Sequence, residues 1–267
     1  MLGYEIDFLA LESLSKSGDA ICLRFGELAG WNRWQRVVVV DGGHRGDGPR
    51  VIEHLRRYYC SGLQETPFID LLVSTHPDGD HVGGLQYILE HAFVGELWIH
   101  QPWRHASSIK KYLDGRFTTQ GTKSRLQKDL DSAFELVQAA QQRRVVVREP
   151  FQGVTGLDGA VTVLGPTRNF YEKQIATFRL NGATLPALPN PGPAYENYQT
   201  ETLDQGGGTS PMNETSAVLC AYSAQSCRLF HRKVADRSTF KLPPVPGKVA
   251  GSGAGRSDAA FTDLTFR

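Results

Sequence analysis

His76, Asp78, Asp80 and His81 fall within six residues of one another, in the stretch LLVSTHPDGDHVGGL from Leu71 to Leu85. Imidazole and carboxylate groups both bind zinc or its harder neighbours at about 2.0–2.2 Å. A second ion about 3.5–4 Å from the first needs its own ligands from the same wall. In an extended turn, residues two apart point to one side, so His76 and Asp78 suit one ion. Asp80 and His81, adjacent but splayed by the turn, suit another. The plainer alternative is an acidic surface turn with two solvated histidines. It fits less well with an apolar strand before the loop and Gly83-Gly84 opening an amphipathic helix after it.

The elements around this loop must hold it at the carboxyl edge of a sheet, where open α/β folds collect their sites. Ile69 to Ser74 reads as the central strand, and Pro77, Gly79 and Gly83 supply the bends that follow it. Ahead of it, Glu5–Leu11 and Asp19–Phe25 alternate apolar and polar residues, which predicts two antiparallel strands. Val37–Val40 predicts a fully apolar third strand ending in Asp41-Gly42-Gly43-His44, where paired glycines permit a sharp turn. Pro49–Cys60 reads as a crossover helix stopped near Gly62. Leu85, Ile88 and Leu89 repeat at helical spacing and lead to a strand over Glu96–His100. His100 and His105 flank Gln101-Pro102-Trp103-Arg104 and read as packing or substrate-contact residues rather than ligands, and His44 reads as a loop histidine.

Lys123–Arg143 carries Leu126, Leu130, Ala133, Phe134, Val137 and Ala140 on one face, predicting a single amphipathic helix with a solvated outer face. Val145–Arg148 and Val161–Leu164 read as strands, and Thr167 as the N-cap of a short helix. From Arg179 to Pro211, repeated proline and glycine break all periodicity, so 179–211 reads as a mobile loop near the site entrance. Asn213–Tyr222 and Arg228–Phe230 read as the last strands.

The run Thr75-His76-Pro77-Asp78-Gly79-Asp80-His81-Val82-Gly83-Gly84-Leu85 resembles the metal-binding motif of the metallo-β-lactamase superfamily. Its H-x-D-x-D-H form resembles that of the soluble domain of bacterial DNA-uptake (competence) channel proteins. Gly18-Asp19-Ala20, Val37 to Gly43, Leu164 to Thr167 and Asn213 to Leu219 agree in order, and the resemblance spans about Tyr4 to Phe230. It implies an αββα sandwich of two mixed sheets flanked by helices over residues 1–230, with an irregular tail over 231–267. It implies metal ligation by His76, Asp78, Asp80 and His81, with Asp80 catalytic, and one or two Zn2+ ions. Asp78 stands where most of the superfamily has histidine, a harder ligand that makes Mn2+ competitive. Asp41 matches a residue that supports the metal loop from behind, and an ordinary turn aspartate is the equal alternative. The implied reaction is metal-dependent hydrolysis, with a phosphodiester or phosphate ester, small or nucleic acid, as substrate.

Composition narrows the rest. The chain has 267 residues with 29 basic and 28 acidic side chains, a net charge of +1, so no global field recruits nucleic acid or anionic lipid. One domain is the default at this length. Cys22, Cys60, Cys220 and Cys227 form no C-x-x-C pair, which reads as free thiols in a reducing, cytoplasmic setting. No apolar run approaches the roughly 18 residues of a membrane span, so no membrane partner is expected.

The resemblance fails after Phe230. The family pattern continues with an apolar run into Thr-Gly-Asp, whose aspartate bridges two metals, and a later histidine loop. This chain reads Phe230-His231-Arg232-Lys233 and then a Pro/Gly/Ser-rich tail. His231, Asp236, Asp258 and Asp263 remain there, none in matching context. The codons for Phe-His-Arg-Lys permit Phe-Thr-Gly one base away, so a one-base slip near codons 228–230, a truncation and a divergent subfamily all stay open. With these ligands missing, a catalytically impaired or inert metal-binding or interaction protein is the alternative to an active hydrolase.

Overall fold

The computed structural model describes residues 2–11, 18–29, 34–60, 66–113, 117–180, 183–184, 210–223 and 226–230, all within one unit, Met1–Ala235. Most of the expected 179–211 loop lies outside the described residues, as does everything from His231 onward, including Asp236, Asp258 and Asp263.

Strands β1 (Leu2–Phe8), β2 (Ile21–Glu27) and β3 (Trp34–Val40) form an antiparallel meander. β1 begins earlier than its alternation predicts and stops at Phe8, because its register pairs Leu2 with Glu27 and Phe8 with Ile21. Helix α1 (Gly48–His54) loosens into a π turn over Leu55–Tyr59 and leads to β4 (Phe68–Val73). Beyond β4 come α2 (Gly79–Val82), α3 (Leu85–His91) and β5 (Phe93–Trp98). β5 starts and ends before the predicted 96–100, so Ile99 and His100 lie past the strand.

A 3-10 turn, Pro102–His105, and α4 (Ala106–Ile109) follow. The predicted single helix over 123–143 is two, α5 (Thr119–Asp129) and α6 (Asp131–Gln142). They meet at Leu130, which leaves helical geometry (φ −117°, ψ 44°) while burying its side chain. The break lets α5 pack on the 102–105 turn and α4 while α6 packs on α3, an outcome of tertiary contact that periodicity does not report. β6 (Val146–Arg148), β7 (Thr155–Gly156) and β8 (Val161–Gly165) lead to α7 (Arg168–Ile175), where the Thr167 side chain accepts from Phe170 N–H as an N-cap. β9 (Arg179–Leu180) pairs with β10 (Ala183–Thr184). Residues 213–214, predicted extended, belong instead to the short α8 (Pro211–Glu214). The Ser210 side chain caps it and Pro211 suits its first turn. β11 (Val218–Ser223) and β12 (Ser226–Phe230) follow.

The first sheet has six strands in sequence order, β1 to β6, antiparallel across β1–β3 and parallel across β3–β6. The second runs β12-β11-β8-β7 and is antiparallel. The run of valines in β3 serves both faces of its sheet. Val37 and Val39 join Ile69, Leu72, Ile52, Leu85 and Ile88 in the core under the helices, while Val38 and Val40 join Leu71, Val73, Val163 and Leu219 between the sheets. A strand buried on both faces is apolar at every position, as parallel strands are. The expected α/β sandwich is thus present, with the 76–81 loop at the carboxyl end of its central strand. No helix among the described residues is long and apolar enough to cross a membrane.

Candidate metal centre

The loop after β4 is tied down on every side. The Asp41 N–H donates to the Val73 carbonyl and Gly42 N–H to that of His81, both at 2.8 Å. Ala217 N–H donates to the Thr75 carbonyl at 2.9 Å, so the entry to β11 is stitched to the loop across the two sheets. Asp41 adopts a left-handed conformation (φ 59°), one that aspartate tolerates better than most residues. That turn sends its carboxylate under the loop.

The Asp41 carboxylate, buried to 1% exposure, accepts from Thr75 N–H at 2.8 Å, from the Thr75 hydroxyl at 2.6 Å and from His81 Nδ1 at 3.0 Å. A carboxylate can only accept, so His81 carries its proton on Nδ1 and presents the lone pair of Nε2. His76 is fixed in the same way by a less direct route. Its Nδ1 lies 2.9 Å from Thr75 Oγ1 and 3.3 Å from Ser216 Oγ. Thr75 donates its hydroxyl proton to Asp41, and Ser216 donates its own to the Asn213 carbonyl at 2.7 Å. Nδ1 must therefore supply the hydrogen, and Nε2 again holds the lone pair. Neutral imidazole with its second nitrogen hydrogen-bonded is the form that ligates metals.

Each Nε2 faces a carboxylate of the same loop. His76 Nε2 lies 3.5 Å from Asp78 Oδ2, and His81 Nε2 lies 3.5 Å from Asp80 Oδ2. Two atoms that ligate one tetrahedral zinc at about 2.0–2.2 Å sit about 3.3–3.6 Å apart, so both pairs have the spacing of ligands to a shared ion. The two rings lie with centroids 4.0 Å apart, which brings the pairs together into one site. Asp78 occupies the N-cap position of α2 yet makes no capping bond with its side chain. The donor set thus fits a divalent ion, two ligands at a time. Among the described residues no group of three His, Cys, Asp or Glu side chains is arranged to hold one.

Thr75 and Ser216 are site residues that the spacing of ligands did not reveal. Thr75 precedes the first histidine and Ser216 sits in the Asn213–Leu219 run, but their role depends on contacts over 34 and 140 residues of sequence. His100 and His105 lie outside the loop, although the His76 charge acts on His100. His100 is buried between Phe151 and Tyr171, stacked on the latter at 4.3 Å, and neither ring nitrogen has a hydrogen-bond partner among the described residues. Burial pushes its pKa down to about 3. His105 bridges Glu149 at 2.9 Å and Glu172 at 3.0 Å. Burial opposes its charge, but these two carboxylates outweigh burial and raise its pKa. His44 lines the rim of the cleft beside the site.

That cleft, about 850 Å3, is bounded by His44, Arg45, Asp78, Asp80, Glu135 and Asn213 among others. None of the curated proteins matches the chain. A crystal structure from Thermotoga maritima, of a "putative metallo-beta-lactamase", aligns at 14% identity and a TM-score of 0.32, covering 61% of this chain and 65% of that one. The model of the metallo-beta-lactamase superfamily matches residues 35–193, from β3 through the metal loop and beyond α7. With that match over more than half its length, the chain belongs to the metallo-β-lactamase superfamily.

Proposed function

We propose that the protein is a metal-dependent hydrolase acting on phosphodiester or phosphate-ester bonds, with a soluble domain related to that of DNA-uptake channel proteins. The observation that carries this reading is the pair of locked imidazoles, each offering Nε2 beside a carboxylate at ligand spacing. His76 with Asp78 and His81 with Asp80 would hold zinc or, given the carboxylate at position 78, manganese. When bound, such an ion supplies Lewis acidity, making water a stronger acid and drawing charge from the scissile bond. Asp41 and Thr75 keep both imidazoles in one tautomer, so no reorganisation is needed when substrate arrives. Asp80, in the lining of the cleft with its side chain 32% exposed, would orient the attacking water. The free thiols Cys22, Cys60 and Cys220 suit a reducing, cytoplasmic setting.

One observation favours the rival, an impaired or inert metal-binding protein: no third ligand joins either pair among the described residues. The two readings separate in one experiment. The full chain, supplied with Zn2+ or Mn2+, should hydrolyse bis-p-nitrophenyl phosphate, and Asp80→Asn should reduce kcat by at least a hundredfold. Metal uptake without turnover would establish the rival.

A further inference from the structure

We infer that Arg45 is the specificity-determining residue of this site, binding the anionic phosphoryl group of the substrate. The inference rests on the proposed hydrolysis of phosphate esters and adds the group that selects them. Among the described residues lining the cleft, Arg45 is the sole lysine or arginine. Asp78, Asp80 and Glu135 line it as well, so beside any ion that Asp78 and Asp80 hold, Arg45 brings the one fixed positive charge among the described lining residues to meet an anion. Arg45 is exposed, and no carboxylate among the described residues pairs with it. A guanidinium without an ion pair among the described residues of an acidic cleft is available to a ligand. Its planar donors match phosphate oxygens two at a time.

The backbone beneath Arg45 is fixed, which distinguishes it from a swinging surface side chain. His44 N–H donates to Asp47 Oδ2 at 2.8 Å, and Asp47 N–H returns to the His44 carbonyl at 2.9 Å. Gly83 of the metal loop has no Cβ, and one placed there would lie 2.6 Å from the Arg45 backbone nitrogen. The 44–47 turn is therefore seated directly against the segment that carries Asp80 and His81. Arg45 thus starts from a fixed point at the rim of the metal loop, on the cleft side. A volume of about 850 Å3 admits a ligand much larger than phosphate alone, so the proposed substrate class is a diester or monoester with an extended organic arm.

The test uses inorganic phosphate as probe. Isothermal titration of phosphate into the zinc-supplemented full chain should give a Kd that weakens at least tenfold in Arg45→Gln. Arg45→Lys, which keeps the charge and loses the fork, should fall between. The KM for bis-p-nitrophenyl phosphate should rise in the same order, with kcat changed much less. Arg45 is exposed, so thermal melting should match the parent, and a variant that melts earlier is replaced by Arg45→Met. Phosphate binding equal in parent and Arg45→Gln, or absent from the parent, overturns the inference. Arg45-dependent phosphate binding without any diester turnover upholds Arg45 as the anion site and instead defeats the hydrolase reading.

Discussion

Asp41 Oδ2 and His81 Nδ1 lie 3.0 Å apart across 40 residues of sequence, and this contact decides which nitrogen of His81 can face a metal. The same carboxylate also receives both the backbone and hydroxyl protons of Thr75. Asp41→Ala should therefore act on stability and metal together. Loss of three bonds to a buried carboxylate should cost about 3 kcal/mol by denaturant unfolding. Zinc affinity should weaken about 10- to 100-fold. A stability loss with zinc affinity intact would show that Asp41 serves the fold alone.

Metal content follows from ligand count. With two protein ligands for each ion where catalytic zinc sites ordinarily have three, the chain should retain fewer than two equivalents after dialysis, measured by elemental analysis. His76→Ala or Asp80→Ala should remove what remains while leaving the circular dichroism spectrum unchanged. Two tightly held equivalents in the parent would mean that ligands come from outside the described residues. A variant that unfolds with its metal content unaltered would make the loop structural.

Two buried histidines outside the loop, His100 and His105, pull stability in opposite directions with pH. His100 has its pKa lowered by burial to about 3, so below about pH 6.5 the unfolded chain takes a proton that the folded one refuses. Stability falls with pH through that window, by up to about 1.4 kcal/mol per unit. His105 has a raised pKa, so its contribution is full below about pH 6.5 and is lost as pH rises through its folded value. His100→Leu, which also removes two ring nitrogens without partners, should flatten the acid limb of a plot of unfolding free energy against pH. An unchanged slope between pH 6 and 4 would assign the acid sensitivity elsewhere.

The approach of the metal loop to the β3 turn depends on a missing side chain. A Cβ on Gly84 would overlap the carbonyl oxygen of Gly42. Gly84 is the N-cap of α3, a position where glycine is preferred over alanine, so no gain in helix preference offsets an overlap that is with backbone. Gly84→Ala should lower stability by about 3 kcal/mol and, by moving the 76–81 loop away from Asp41, should weaken zinc binding. A thermal midpoint equal to that of the parent would show that the two turns can separate at no cost.

What the sequence settled by itself was local. The types and spacing of the candidate ligands from His76 to His81, the four-valine strand ahead of Asp41, and the Thr167 cap are all written within a few residues of their place in the fold. The antiparallel pairing of the first two strands and the helix that crosses over to the central strand followed as well, because short connections constrain neighbouring strands to pair. Tertiary structure decided what depends on distant partners. Ser216 reaches His76 across 140 residues and helps set its tautomer, which no spacing rule encodes. Leu130 leaves the helix because its neighbours on either side pack against different elements, although the apolar stripe of Leu126, Leu130, Ala133 and Val137 runs unbroken through it. Residues 213–214 are helical because Ser210 and Pro211 start a turn that outweighs the β-formers further on. Arg45 carries no signal in the sequence, since only the folded chain seats the 44–47 turn against Gly83 and brings a cation from one loop into a cleft lined by carboxylates from others.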